Sequence, residues 1–375
     1  MTGNDARARM QAQIPAMAAA LNTLGLTGSD PVEPEQLSLL PTTGLAHDHI
    51  RIHGTGLVLR VPRQSQLSLD AVSNLHYQRA CFERAAPSGR TPHLHGAIEP
   101  QPDIPMGSLV VDYIEGKPIV LPDELPNAAR TLAAIHALPL PPITGRPPLK
   151  APADPIDDTL NEVLAQAQYL YAETAAVPDD SVKQIAEEIA WATAFASSAV
   201  TPPVTLISFD AHPGNFIQEQ GPADEARAVL VDLEKARYGV PGFDLAHASL
   251  YTSTTWDIAT YAELSLESVS GFYDTWMKTI PASLQDQARQ WLLPCRRMMW
   301  LWSVTWCAKW AVESGLSLLE SKHSAISTED WSADNTDRAL VDHVADRVTT
   351  YLDPSIIDRV RQDWAEGSPL SDLLT

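Results

Sequence analysis

A bilobal α+β fold is what this 375-residue sequence predicts, with a small antiparallel-sheet N-terminal lobe and a larger, mostly helical C-terminal lobe. Three observations carry that expectation. From about residue 36 to 115, short apolar segments are separated by Gly-containing turns, as in an antiparallel meander. From Leu121 onward, apolar residues recur at helical spacing instead. Within that helical sequence, residues 207–234 read as a hairpin, two apolar runs around a polar turn. The expected division is an N-terminal lobe over 1–111, with its sheet and one helix in 36–111, a linker over 112–116, and a C-terminal lobe over 117–375.

The elements follow in order. "MTGNDARARMQAQIPAMAAALNTLGL" reads as a short amphipathic helix and lacks the apolar segment of a signal peptide. "QLSLL", "HIRIHG" and "GLVLRVP" are expected as three strands. "LDAVSNLHYQRACFERAA" has helical spacing through Leu69, Val72, Leu75, Cys81 and Phe82, and stops at Pro87-Ser88-Gly89. "HLHGAIE" and "GSLVVDYIEG" supply two more strands. Beyond the linker, "ELPNAARTLAAIHAL" is helical, and the Pro-rich "PLPPITGRPPLKAPADP" is an extended surface connection. Helices resume at 156–173 and 180–199, and nearly everything after Phe243 is helical. The apolar run "MMWLWSVTWCAKWAVE" is too short to span a bilayer and contains Lys309, so it is expected as a buried helix. No internal repeat is present.

Composition narrows the class. The formal charge of −21 disfavours non-specific nucleic-acid binding and contact with anionic membranes. Cys81, Cys295 and Cys307 are odd in number and have no metal-like spacing, which suits reduced thiols in a cytoplasmic protein. His47, His49 and His53, with His93 and His95, lack a supporting cluster of acids or thiols and are read as residues of solvated strands.

The chemistry concentrates in "SFDAHPGNFI", residues 208–217. If Ile217 lies opposite Leu230 in the hairpin, then Asn215 lies opposite Asp232. Asp210 hangs over that end from the preceding loop. One acid to orient an attacking hydroxyl, with an Asn and an Asp to hold Mg²⁺ on a nucleotide, is a working set for phosphoryl transfer. Mg²⁺ takes few protein oxygens and keeps its other positions for phosphates and water. Turn chemistry alone would explain one such residue, but not three at this spacing.

"FDAHPGNF" followed by "VLVDLEKARYGVPGFDLAH" resembles the aminoglycoside phosphotransferase / choline kinase superfamily, whose fold is protein-kinase-like. The resemblance covers roughly 36–310 and is specific in 207–247. It implies ATP and Mg²⁺ as cofactors and a small hydroxylated molecule as phosphate acceptor. By motif position Asp210 would be the catalytic base, Asn215 and Asp232 the metal ligands, and Glu234 a second acid beside metal or substrate. Asp244 matches the family's later aspartate and also reads as the N-cap of the helix "LAHASLY". His212, inside the loop, would contact phosphate or hydrogen-bond within the turn.

In the N-terminal lobe, Arg60 takes the place of the family's strand-borne Lys or Arg and would hold phosphates. By itself it would read as a solvent-facing Arg on an edge strand. Thr43 and Gly44, in "PTTGLAHDH", would face the phosphates from a turn with one glycine, and Thr42 would add a hydroxyl. Asp112 and Ile114 would offer backbone groups to adenine, with Gly116 turning the chain. The sequence departs from the family at two positions. Gln78 stands where a Glu normally meets the strand cation, with Glu83 out of phase, and Ser208 replaces the His of H-x-D. A non-catalytic nucleotide-binding regulator is therefore the competing class.

The acceptor side draws on residues outside the motif. Trp302, Trp306 and Trp310 recur every four residues, as core packing requires and as a cation–π cage would use. Trp302, Trp306, Glu234 and Asp257 would suit a cationic amine.

Overall fold

The computed structural model describes residues 3–26, 30–41, 46–173, 176–197, 201–220, 227–319 and 338–374. Helix α1 (Gly3–Leu24) precedes strands β1 (Leu37–Leu39), β2 (His47–Ile52) and β3 (Leu57–Pro62). Helix α2 (Ala71–Ala85) and strands β4 (Leu94–Ile98) and β5 (Ser108–Asp112) complete the first lobe. The strands form one antiparallel sheet in the order β1-β2-β3-β5-β4, so the five expected strands and their helix are all present.

Alternation along each strand decides what that sheet buries. Leu57, Leu59 and Val61 of β3, with Ile50 and Ile52 of β2, pack against Met10, Ile14, Met17 and Leu21 of α1. The opposite face carries Val58, Leu109 and Val111, which pack against Leu75, Phe82 and Cys81 of α2. Arg60 is on this second face, two residues from Val58. Strand β3 is central rather than an edge, and Arg60 is 3% exposed. The Asp70 side chain caps α2, accepting from the amides of Val72 and Ser73 at 3.1 and 3.0 Å, a contact worth about 1 kcal/mol.

The second lobe begins with β6 (Gly116–Pro118), α3 (Leu125–His136), α4 (Pro155–Ala167) and α5 (Asp179–Ala196). Four short strands follow: β7 (Thr205–Ile207), β8 (Phe216–Glu219), β9 (Ala228–Leu230) and β10 (Arg237–Gly239). The rest is helical: α6 (Gly242–Ser249), α7 (Tyr251–Thr254), α8 (Leu266–Thr279), α9 (Ala282–Leu319), α10 (Arg338–Tyr351), α11 (Pro354–Arg361) and α12 (Pro369–Leu374). The apolar run at 298–313 lies in α9, which packs against α6, α4 and α10. Among the described residues no helix is long and apolar enough to cross a membrane. Cys81, Cys295 and Cys307 are buried free thiols.

Two small sheets position the loops. Strands β7 and β10 pair antiparallel, while β6, β8 and β9 form a three-stranded sheet. Gly116 serves a close approach rather than a turn, since a Cβ there would stand 2.3 Å from the Gln218 carbonyl oxygen across the sheet. The β8–β9 register differs by one residue from the expected one. Phe216 faces Leu230, and the Val231 amide donates to the Asn215 carbonyl at 2.9 Å, so Asn215 is level with Val231 and not Asp232. Ala228, Val229 and Leu230 are all buried, so β9 has no polar face whose alternation could fix the register.

Candidate active site

The loop between β7 and β8 starts with an unusual backbone. Phe209 has φ 57°, a left-handed conformation that costs a non-glycine residue about 1–2 kcal/mol. The Asp244 carboxylate holds it there. Its two oxygens accept from the Ser208 and Phe209 amides, each at 2.7 Å, and one of them also meets His136 Nε2 at 3.1 Å. Trp276 Nε1 donates to His136 Nδ1 at 3.0 Å, which leaves Nε2 as the donor toward Asp244. Asp244 is fully buried within α6, whose N-cap position is Pro241. It is therefore not a helix cap but a brace under the loop, and its partners lie 35 and 36 residues away in sequence. Ser208 Oγ closes the turn by accepting from the Asp210 amide at 3.2 Å.

This loop presents Asp210 beside Lys235 Nζ at 3.1 Å and His247 Nδ1 at 4.0 Å. Burial pushes the Asp210 carboxyl up, but the Lys235 ammonium together with His212 and His247 outweighs it, and the net direction is down. Asn215 Nδ2 donates to the Asp210 carbonyl at 2.8 Å, which commits its amide group and leaves Oδ1 for a ligand. Gly214 has no room for a side chain, because a Cβ would lie 2.6 Å from Asp257 Oδ2 and 3.0 Å from His212 Cε1. Asp257 thus sits against the loop while its Oδ1 accepts from the Ala259 amide at 2.7 Å.

Asp232 is held from the other lobe. Arg60 donates to Asp232 Oδ1 at 2.5 Å, to the Val231 carbonyl at 3.3 Å and to His47 Nδ1 at 3.1 Å, while its Nε is buried with no partner among the described residues. Burial raises the Asp232 carboxyl, but Arg60, His47, the Glu234 amide and Lys235 together outweigh it, and the net direction is strongly down. Gln78 does not reach Arg60; its Oε1 meets His47 Nε2 at 3.3 Å. His47 is 3% exposed and faces the cleft between the lobes, which corrects the expectation of a solvated strand. Its face is the one expected to be shared with His49, but the loop after β9 covers it. Burial and the Arg60 charge lower the basicity of His47 and bring His49 to about 4. Glu234, 4% exposed, has an Oε2 without a hydrogen-bond partner, and burial followed by the Asp232 charge raises its carboxyl well above the usual range.

The aromatic side is built on α9. Trp302 Nε1 donates to Glu162 Oε2 at 2.9 Å, while Glu162 Oε1 accepts from Lys150 Nζ at 2.7 Å and Arg237 at 2.6 Å. That network orients Trp302 edge-on to Phe209 at 5.6 Å and to His247 at 6.5 Å, with Lys235 Nζ 6.0 Å from its ring. Trp306 packs against Trp256 instead, at 5.6 Å. Trp302 and Trp306 are half-buried and Trp310 is buried, so the stripe divides between the site and the core.

At the linker, Asp112 commits its amide to the His93 carbonyl at 3.1 Å and its carboxylate to His95 Nε2 at 2.7 Å. Ile114 makes no backbone hydrogen bond to another described residue. A cleft of about 370 Å³ opens there, lined by Tyr113, Ile114 and Glu115 with Gly56 and Val229. Thr42, Thr43 and Gly44 lie outside the described residues. Sequence reasoning missed Lys235, His247, Glu162 and His136 as parts of the site; each acts through a partner far along the chain, and of the four only Lys235, three residues past Asp232, and His247, three past Asp244, are close to a motif residue.

Comparison with known proteins adds to this geometry. Residues 43–275 match the family described as the phosphotransferase enzyme family. A search of curated protein sequences gives no significant match. Among solved structures, the chain is similar to a choline/ethanolamine kinase family protein from Mesorhizobium loti, with 16% identity, TM-score 0.55, and 97% of this chain and 98% of that one covered. It is similar to an ethanolamine kinase from Plasmodium vivax at 12% identity and TM-score 0.56, covering 91% and 90%. It also resembles an aminoglycoside phosphotransferase, APH(2")-IIa, solved as a ternary complex with streptomycin and ATP, at 15% identity and TM-score 0.50, covering 79% and 90%.

Proposed function

Because this chain belongs to the phosphotransferase enzyme family, we propose that it is a small-molecule kinase that transfers the γ-phosphoryl group of Mg·ATP to the hydroxyl of an amino alcohol, aminoglycoside or similar hydroxylated amine. The observation that carries this reading is the convergence of Asp210, Asn215 and Asp232 at one end of β8 and β9, with Arg60 reaching them from β3. The residues present fit both cofactors. Arg60 Nε is a buried donor without an acceptor, which suits a phosphate oxygen, and Glu234 is a buried carboxylate in no hydrogen bond through Oε2, which suits a nearby cation. When bound, Mg·ATP supplies the phosphoryl group and the charge that shields its oxygens.

The protein's own residues then have distinct tasks. Asp210, kept ionised by Lys235, accepts the proton of the acceptor hydroxyl and aims that oxygen. Asn215 Oδ1 and the Asp232 carboxylate would hold the metal, and Arg60, which carries an uncommitted Nε, would hold a phosphate oxygen. Ile114 offers its free backbone groups to the base. Trp302 and Asp257 face an amine beside the hydroxyl, through cation–π attraction and charge, while Trp306, packed on Trp256, supports the stripe from behind. What supports catalysis over silent nucleotide binding is the Asp244 brace, which fixes the loop although Ser208 replaces the family's His.

The amino-alcohol kinases among the solved relatives make choline and ethanolamine the first acceptors to test. With Mg·ATP, ADP release should rise in the presence of at least one member of a panel of amino alcohols, aminoglycosides and related amines. ATP-dependent thermal stabilisation with no turnover across the whole panel would instead establish the regulator.

A further inference from the structure

Three acids, Asp210, Asp232 and Glu234, and two permanent cations, Arg60 and Lys235, share the cleft. Asp210 pairs with Lys235 and Asp232 pairs with Arg60. Glu234 is the carboxylate left over. Its Oε2 is buried, has no hydrogen-bond partner among the described residues, and lies 3.6 Å from His47 Nε2. The ligand atoms of His47, Asp232 and Glu234 all fall within 4.8 Å of one another. Nitrogen and oxygen ligands at about 2.0–2.2 Å from one ion are separated by about 3 Å, so small side-chain movements would close the cluster.

We infer that His47, Asp232 and Glu234 form a site for a first-row transition dication, with His47 Nε2 as the ligand that sets its metal preference. The inference rests on the reading of Asp232 as a metal-holding residue and adds to it a nitrogen donor from the opposite lobe. An all-oxygen set suits Mg²⁺, whereas an imidazole ligand favours first-row transition dications, whose affinities rise from Mn²⁺ to Cu²⁺. Arg60 competes for the same atoms. It donates to Asp232 and also to His47 Nδ1, which fixes the ring proton on Nε2. Metal binding therefore requires Arg60 to release Nδ1, so that the proton moves there and Nε2 is free to coordinate. This is the movement that also turns Arg60 toward phosphate. An ion held this way ties β2 to the segment after β9 and so links the two lobes.

The test uses the full chain with Mn²⁺ as probe and neither nucleotide nor acceptor, so its result is independent of whether the protein is a kinase. Free Mn²⁺ counted by electron paramagnetic resonance should show one bound ion, and the pulsed experiment should show coupling to a directly bound nitrogen. His47→Gln should weaken Mn²⁺ about tenfold or more and remove the nitrogen signal, whereas Arg60→Ala should tighten it by removing the competing cation. Mg²⁺ should displace Mn²⁺ only at large excess. The inference is overturned if wild-type protein binds Mn²⁺ with no nitrogen coupling, if His47→Gln binds it as tightly as wild type, or if Mg²⁺ binds equally well. The nitrogen signal of the wild-type protein decides the matter even if the variants fail to fold.

Discussion

Asp210 and Asp232 are both half-buried carboxylates paired with a neighbouring cation, yet they are held in different ways. Asp210 is positioned within one lobe: its cation, Lys235, follows β9, and its loop rests on Asp244 from α6. Asp232 depends on the other lobe, because Arg60 extends from the central strand of the N-terminal sheet. The first acid is therefore preorganised by a single packed core, whereas the second is ready only when the two lobes meet. That division suits a reaction in which Asp210 addresses the acceptor and Asp232 the metal and nucleotide.

Removing each acid should separate the two roles most sharply. Asp210→Ala is expected to lower kcat by about 10² to 10⁴ while leaving Mg·ATP affinity within about twofold, the signature of a lost general base. Asp232→Ala is expected to abolish turnover and also metal-dependent nucleotide binding. Calorimetric titration of Mg·ATP into both variants, beside steady-state rates, checks the pair. If Asp210→Ala lost nucleotide binding as completely as Asp232→Ala, the assignment of one acid to each side would fail.

The Asp244 brace is the next place to break the comparison. Asp244→Ala strips the acceptor from two buried amides and from His136, and each unsatisfied group costs about 1–3 kcal/mol. Urea unfolding should show a loss of about 3–5 kcal/mol, with activity falling alongside because Phe209 loses the contact that holds its left-handed backbone. Asp244→Asn keeps one acceptor oxygen and should recover part of both. The Arg60–Asp232 contact should be undisturbed, so metal affinity should fall less than turnover.

The two regions also differed in how far the sequence disclosed them. The five N-terminal strands were legible because each alternates or is bounded by turn residues, and Asp210, Asn215 and Asp232 because their spacing is short-range. The hairpin register was not, since β9 is buried on both faces and a one-residue shift leaves no mark in its pattern. His47 was expected to share a solvated strand face with His49, and local sequence does not reveal that the opposite lobe covers His47. Asp244 looked like a helix cap because local composition is all that a single helix start offers. Its three partners come from the loop between β7 and β8 and from α3. Lys235, Glu162 and His136 were invisible for the same reason: their roles are tertiary.

Glu162 gives the mildest and most specific way to sharpen the contrast, because it acts on the acceptor side without touching the metal end. Burial pushes its carboxyl up, but Arg237 and Lys150 outweigh it and bring the value down to about 2, from the ordinary 4.5. A depressed carboxyl stabilises the fold above its unfolded value and loses that contribution as pH falls through its folded one. Wild-type stability should therefore decline between pH 4.5 and 2 partly through this group, and Glu162→Gln should show a shallower decline across the same window in chemical unfolding. Near neutral pH the variant should raise the acceptor KM several-fold, because Trp302 loses the anion that orients its indole N–H. The KM for Mg·ATP should hardly change, since no partner of Glu162 touches Arg60, Asn215 or Asp232. A matching rise in both KM values would instead mean that the two ends of the cleft are coupled through the Arg237 strand, and that the division between them is weaker than their separate supports suggest.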